Sequence, residues 1–85
     1  MKLQTLAQAR ARIDEIDAQL QALISDRARV AELVREIKAT SGADGDHYRP
    51  SREADVLRRT VARNRDNGGP LADEVMARLM REIMS

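Results

Sequence analysis

The fold is decided by residues 5–40, TLAQARARIDEIDAQLQALISDRARVAELVREIKAT, which contain neither proline nor glycine. Apolar side chains recur there at heptad-like spacing. They form one apolar stripe, made of Leu6, Ile13, Leu20 and Val34 interleaved with Ala9, Ile16, Leu23, Val30 and Ile37. Thr5 and Gln8 fit a capping box. The stretch therefore predicts a first helix over about 5–40.

Two shorter helices are predicted after it. Glycine and aspartate are frequent just after the stripe, which indicates a loop over 41–50. Ser51 is a good N-cap for a second helix over about 51–66. A third helix is predicted over about 71–85, with an apolar face made of Leu71, Val75, Met76, Leu79, Met80, Ile83 and Met84.

The length of the first helix predicts a dimer. About 35 residues span roughly 50 Å, beyond the ~30 Å diameter of a small domain. Eighty-five residues make one small domain, and no cysteine is present to cross-link it. We therefore expect a single all-α domain over 1–85 that forms an intertwined homodimeric helical bundle. A parallel coiled coil is the simpler alternative, but two further amphipathic helices favour the bundle.

The composition argues against several classes of function. Charged residues make up 34% of the chain, yet the net charge is +1 and the basic residues are interleaved with acids. With Tyr48 as the only aromatic residue, a nucleic-acid interface is not expected. Neither a membrane span nor a signal peptide is predicted, so we expect a cytoplasmic protein. A lone histidine, His47, cannot supply a zinc site, and no metal or cofactor is expected.

Three cations are placed unusually on the first predicted helix. Arg27 occupies a position of the apolar stripe, where an unpaired guanidinium is costly to bury. Lys38 follows eleven residues later, on nearly the same face, whereas Arg10 precedes Lys38 by 28 residues, about 42 Å. If all three serve one site, Arg10 must come from an antiparallel partner. Alternatively, Arg27 pairs with an acid, Lys38 favours the helix C-terminus and Arg10 is a surface residue.

Several segments spread over almost the whole chain form a recognisable pattern. They are Arg10-Ala11-Arg12-Ile13-Asp14-Glu15-Ile16-Asp17, Leu20, Leu23-Ile24, Arg27, Lys38, Arg52-Glu53, Gly69-Pro70-Leu71-Ala72-Asp73-Glu74 and Arg81-Glu82-Ile83-Met84-Ser85. In these residues the chain resembles the all-helical, AroQ-class chorismate mutases. The last two segments are especially similar to the mutase domain of bifunctional chorismate mutase–prephenate dehydratases. The resemblance implies rearrangement of chorismate to prephenate, in aromatic amino-acid biosynthesis, by homodimers with two shared sites and no cofactor.

The resemblance also implies roles for five residues. Arg27 and Arg10 from the partner chain would hold the two substrate carboxylates. Lys38 would donate to the ether oxygen of the substrate. Arg52 would lie at the polar wall of the site, and Glu53 would accept a hydrogen bond from the substrate hydroxyl.

The chain departs from the family pattern in two places. Arg49 stands three residues before the Arg52-Glu53 pair, where the family often has an acid. The third helix of the family also continues further and supplies polar contacts to the ether oxygen, whereas this chain ends at Ser85. We therefore expect a truncated chain or an excised domain. The resemblance to the bifunctional proteins implies, in addition, a prephenate dehydratase domain fused to it in the parent protein.

Two other functions compete with the mutase. A lyase of the same fold would eliminate pyruvate from isochorismate in a similar cationic pocket. A non-catalytic helical dimerisation or regulatory domain would instead pair Arg27 with an internal acid such as Glu53.

Overall fold

The computed structural model of the chain describes residues 4–41 and 50–84, and the regular elements in these two ranges are all helices. Helix α1 spans Leu6–Ser41, α2 spans Pro50–Asn67 and α3 spans Asp73–Met84. The prediction of an all-α fold with one long and two shorter helices is confirmed.

The chain divides into two compact units, Met1–Ala43 and Asp44–Ser85. The first unit contains α1, and the second contains a helical hairpin formed by α2 and α3. Within the described ranges, none of the three helices combines the length and the apolar character that crossing a bilayer requires.

The predicted capping box begins α1. The backbone N–H of Gln8 donates to Thr5 Oγ1 over 3.1 Å. In return, Gln8 Oε1 accepts from the backbone N–H groups of Thr5 at 3.2 Å and Gln4 at 3.0 Å. The cap satisfies N–H groups that have no partner inside the helix. Because Thr5 is the cap itself, the helix starts at Leu6, one residue later than predicted. It ends at Ser41, one residue beyond the predicted boundary.

The start of α2 differs from the prediction. The helix begins at Pro50, so Ser51 lies inside it and is not its N-cap. Proline suits the first helical position because its fixed φ matches the helix and its missing N–H would have no partner there. Ser41 also belongs to a helix, which shortens the predicted loop at both ends. Residues 42–49 of that loop lie outside the described residues.

Gly68 ends α2 close to the predicted boundary. Its φ is +62°, a left-handed conformation that glycine adopts without a steric penalty. Its backbone N–H approaches the carbonyl oxygens of Asn64 and Arg65, both at 3.2 Å. This arrangement closes the last turn of the helix as a glycine C-cap.

Helix α3 begins at Asp73, two residues later than predicted. The carbonyl of Ala72 accepts hydrogen bonds from the N–H groups of Val75 and Met76, both at 3.1 Å, and so marks the N-terminal end of α3. The Leu71 carbonyl accepts instead from Asn64 Nδ2 at 3.0 Å. The backbone at 71–72 therefore belongs to the turn between the helices.

The α2–α3 hairpin has a small core. Ala77 of α3 is 8% exposed, and the polar side chains of Thr60 and Asn64 of α2 are 4% and 8% exposed. Thr60 Oγ1 donates to the Val56 carbonyl at 2.8 Å, so its hydroxyl is satisfied within its own helix. Larger half-buried apolar side chains lie on the same two helices, namely Val56, Leu57, Val61, Val75, Met76, Met80, Ile83 and Met84.

Replacing Asn64 with alanine is expected to destabilise the fold by about 1–3 kcal/mol, because the buried amide bonds both the Leu71 carbonyl and Asp73 Oδ1. Urea unfolding at one fixed protein concentration measures the loss. Arg63→Ala, on the exposed surface of the same helix, is the matched control and should change stability little. Equal stabilities of the two variants would contradict the role of the amide.

Stability should also fall in acid because of Asp73. Hydrogen bonds from Asn64 and then Arg65 lower the pKa of Asp73 below its ordinary value of 3.8. The carboxylate therefore stabilises the fold above that value, and the contribution is lost as the pH falls through the lowered pKa. Unfolding curves of the parent and Asp73→Asn measured between pH 2 and pH 6 should converge at the acid end. Parallel curves across the range would exclude this contribution.

Candidate active site

The cations predicted for the site are distributed along one uninterrupted helix. Arg10 lies in the second turn of α1, Arg27 lies beyond its middle, and Lys38 lies in the last turn. The side chains of Arg10 and Arg27 are exposed and Lys38 is half-buried. Because α1 runs without a break from Leu6 to Ser41, their spacing along the helix follows directly from its rise.

The spacing separates the cations into two groups. Arg27 and Lys38 are eleven residues apart, about 16 Å, and lie within about 20° of the same face. Two long side chains can bend toward one small anion over that distance. Arg10 is about 25 Å from Arg27 and about 42 Å from Lys38 along the axis. A single α1 therefore cannot bring all three to one small molecule.

The arginines of α1 also differ in their partners. Arg12 Nη1 pairs with Glu15 at 3.1 Å, and Arg29 Nη1 pairs with Asp26 at 2.7 Å. Within the part of the chain that the structure describes, the guanidinium groups of Arg10 and Arg27 form neither an ion pair nor a hydrogen bond. The two arginines that the sequence analysis singled out are thus available to an external anion.

The apolar stripe around Arg27 is strongly exposed. Leu6 is 65% and Leu23 is 66% exposed, and six more of its members are exposed large apolar residues, namely Ile13, Ile16, Leu20, Val30, Val34 and Ile37. A contiguous apolar surface of this kind marks an interaction site.

Arg52 and Glu53 occupy the first turn of α2, where an acid favours the positive end of the helix dipole. Both side chains are exposed. Consecutive helical residues point about 100° apart, so the two present a donor and an acceptor in different directions. Among the described residues neither forms an ion pair, in contrast to Arg58 and Asp55 one turn further along.

A polar cluster that was not predicted lies at the turn between α2 and α3. Arg65 Nε donates to Asp73 Oδ2 at 2.8 Å, and Asn64 Nδ2 donates to Asp73 Oδ1 at 3.0 Å. The cluster fixes the hairpin. An Asn-Arg pair ahead of a Gly-Gly-Pro turn, with an aspartate at the next helix start, is the sequence signal that could have found it.

The candidate residues suit anion binding. Four cations and one carboxylate offer many hydrogen-bond donors and one strong acceptor. No group of histidine and acidic side chains in the described ranges has the arrangement of a metal site.

Comparison with known proteins identifies the family of the chain. The family model described as chorismate mutase type II matches residues 9–85, a range that includes all five candidate residues. The chain belongs to the chorismate mutase type II family. The family expected from the resemblance is therefore confirmed.

Several curated relatives of this family member are named bifunctional chorismate mutase/prephenate dehydratase. The chain is 47% identical over 79 residues to the protein of Stutzerimonas stutzeri, covering 89% of the chain and 21% of the relative. It is 48% identical over 73 residues to that of Neisseria gonorrhoeae, covering 86% and 18%, and 31% identical over 84 residues to that of Aquifex aeolicus, covering 98% and 23%. The chain thus spans about a fifth of the length of these relatives. No solved structure matches the chain significantly.

Proposed function

We propose that the chain is a chorismate mutase that rearranges chorismate to prephenate as a homodimer with two shared active sites. The match of the family model to residues 9–85 carries the proposal. It is supported by the relatives, whose names include this activity. A cytoplasmic location and a role in aromatic amino-acid biosynthesis are part of the same proposal.

The geometry of α1 supports the dimer. The helix has 36 residues, about 54 Å, and its apolar stripe is exposed along the whole length. An antiparallel copy of α1 would cover that stripe, since a second copy is the simplest source of a matching apolar surface. The same copy would bring its Arg10 toward Arg27 and Lys38.

Binding the substrate requires two carboxylates to be held in the compact conformer that reacts. The planar fork of arginine binds a carboxylate through two parallel hydrogen bonds. We assign one carboxylate to Arg27 and the other to the partner's Arg10. Clamping a flexible dianion at both ends supplies proximity and orientation, one of the two contributions that this intramolecular rearrangement needs.

The reaction itself is a Claisen rearrangement, in which the C–O ether bond breaks as a C–C bond forms. Negative charge grows on the ether oxygen in the transition state, and the Lys38 ammonium would donate to that oxygen as a point charge. Arg52 would form the polar wall of the site and Glu53 would accept a hydrogen bond from the substrate hydroxyl. The step is concerted and needs no nucleophile, redox group or metal.

The names of the relatives combine this activity with a prephenate dehydratase in one protein. We propose that the protein to which this chain belongs has the same fusion. The dehydratase would then consume the prephenate that the mutase part releases.

An assay with two substrates tests the proposal. The chain is incubated separately with chorismate and with isochorismate, while prephenate, salicylate and pyruvate are measured. Prephenate from chorismate is expected. Salicylate and pyruvate from isochorismate alone would identify the lyase, and no turnover of either substrate would favour a non-catalytic dimerisation domain.

The dimer is tested by a charge placed in the stripe. Leu20→Glu should convert the protein to monomers and abolish turnover, because two carboxylates would be buried near the centre of the α1–α1 contact. Sedimentation velocity measures the oligomeric state. Ala18→Glu, on the exposed opposite side of α1, is the matched control and should remain dimeric. A dimeric Leu20→Glu protein would argue against the stripe as the contact.

A further inference from the structure

The apolar stripe consists of two rows of residues, which in an antiparallel dimer pair over their full length in one register. One row follows Leu6 at intervals of seven residues and the other follows Ala9. In an antiparallel pair of helices, the residues of one row face those of the other. The facing pairs are Leu20 with the partner's Leu23, Ile13 with the partner's Val30, and Leu6 with the partner's Ile37. In each pair the two residue numbers add up to 43.

The candidate site leads to the same register independently. With facing residue numbers that add up to 43, the partner's Arg10 lies at the level of Leu33. That level is midway between Arg27 and Lys38, where an anion held by both would sit. Shifting the register by one heptad, about 10 Å, would move Arg10 away from one of the two cations. The packing rows and the site therefore agree on one arrangement.

A shallow groove lies at the centre of this arrangement. It is lined by Asp17, Leu20, Gln21, Ile24 and Ser25. The twofold axis of the dimer would pass between residues 21 and 22, so the groove would lie at the level of the axis, on the flank of the stripe. The surface that its side chains expose to the groove is almost entirely apolar, and Asp17 lies at one end.

Asp17 lies beside the stripe and close to the level of an arginine of the other chain. In the register above, Asp17 is level with residue 26 of the partner chain. That is one residue, or about 1.5 Å along the axis, from the level of the partner's Arg27. Within its own chain Asp17 is ten residues, about 15 Å, from Arg27 and cannot reach it. Among the described residues, neither Asp17 nor Arg27 has an ion pair or a hydrogen bond.

We infer that Asp17 is a positioning residue, which accepts a hydrogen bond from the partner's Arg27 across the α1–α1 contact. The inference rests on the proposed function and specifies how its site is built. A guanidinium carries five donors on two edges, so Asp17 would occupy one edge and leave the other for the substrate carboxylate. The carboxylate also offsets the cost of enclosing the cation in an apolar stripe. Each site would thus take Arg10 and Asp17 from one chain and Arg27 and Lys38 from the other.

Single substitutions test the effect on turnover. Asp17→Asn should lower kcat/KM about 10- to 100-fold, mainly through a higher KM, while the protein stays dimeric. Asp17→Glu should retain most of the parent activity. Asp14→Asn, an exposed acid on the outward side of the same helix, is the control and should match the parent. An Asp17→Asn protein with the parent kcat/KM would overturn the inference.

Mixing variants tests whether Asp17 acts on the other chain. A dimer of one Asp17→Asn chain and one Arg27→Ala chain keeps one intact site only if Asp17 serves the partner's Arg27. Activity should therefore recover on mixing. No recovery, under conditions in which mixed dimers of Arg10→Ala and Arg27→Ala chains do recover, would refute the cross-chain pair while leaving the shared site standing.

A third measurement does not depend on activity. The dimer dissociation constant is measured for the parent, Asp17→Asn, Arg27→Ala and the double variant. A cross-chain pair predicts that the effects of the two substitutions are non-additive by about fivefold or more. Additive effects would overturn the inference even if the parent chain proved to be inactive as a mutase.

Discussion

Replacing Lys38 with alanine is expected to lower kcat by about 10²- to 10³-fold and to change KM far less. In the proposed mechanism the ammonium acts on charge that develops only as the ether bond breaks, so its loss should raise the barrier by about 3–4 kcal/mol without weakening substrate binding equally. Steady-state kinetics that follow the loss of chorismate give both constants.

The control for Lys38 is Arg29→Ala, which removes a cation from the outward side of the same helix. Arg29 is paired with Asp26, and we assign it no role at the site. Its variant should retain the parent kcat and KM. A Lys38→Ala enzyme with an unchanged kcat would remove Lys38 from its proposed role, whereas a rise in KM alone would reduce that role to binding.

The second large effect is the recovery of activity from two inactive proteins. Arg10→Ala and Arg27→Ala should each lose most of their activity, because each leaves one substrate carboxylate without its clamp. After mixing, each heterodimer has one site with both substitutions and one with neither. Random reassortment makes half of the dimers heterodimers, so about a quarter of the parent activity should return.

A mixture of Arg27→Ala and Lys38→Ala proteins is the matched control. Both residues would serve the site of their own chain, so no heterodimer contains an intact site and no activity should return. Native mass spectrometry verifies that mixed dimers have formed in both experiments. Equal recovery in the two mixtures, or none in either, would contradict the proposed division of the site between chains.

The sequence predicted the helices well where local signals determine them. The heptad spacing of the stripe and the Thr5–Gln8 cap gave the bounds of α1 to within one residue. The start of α3 was two residues off because it depends on Asn64, which reaches across the turn to the Leu71 carbonyl and to Asp73. No local periodicity encodes a contact between residues so far apart in the chain.

The sequence indicated which residues could form the candidate site better than it indicated how they are arranged in space. A cation in an apolar row is conspicuous, so Arg27 could be named from its position alone. The role proposed for Arg10 depends on the separation between residues along a continuous helix, and the role proposed for Asp17 depends on a register between two copies. Such relations would belong to the dimer, and the pattern of one chain contains them only indirectly.

Because α1 is continuous, the number of residues between two of its side chains fixes both their distance along the axis and the angle between them. Inserting a single residue between Arg27 and Lys38 would turn every later side chain by about 100° and carry the lysine off the ligand. Inserting seven residues would restore the direction but stretch the gap by about 10 Å. Insertions and deletions that preserve such a site must therefore fall between the helices and not within α1.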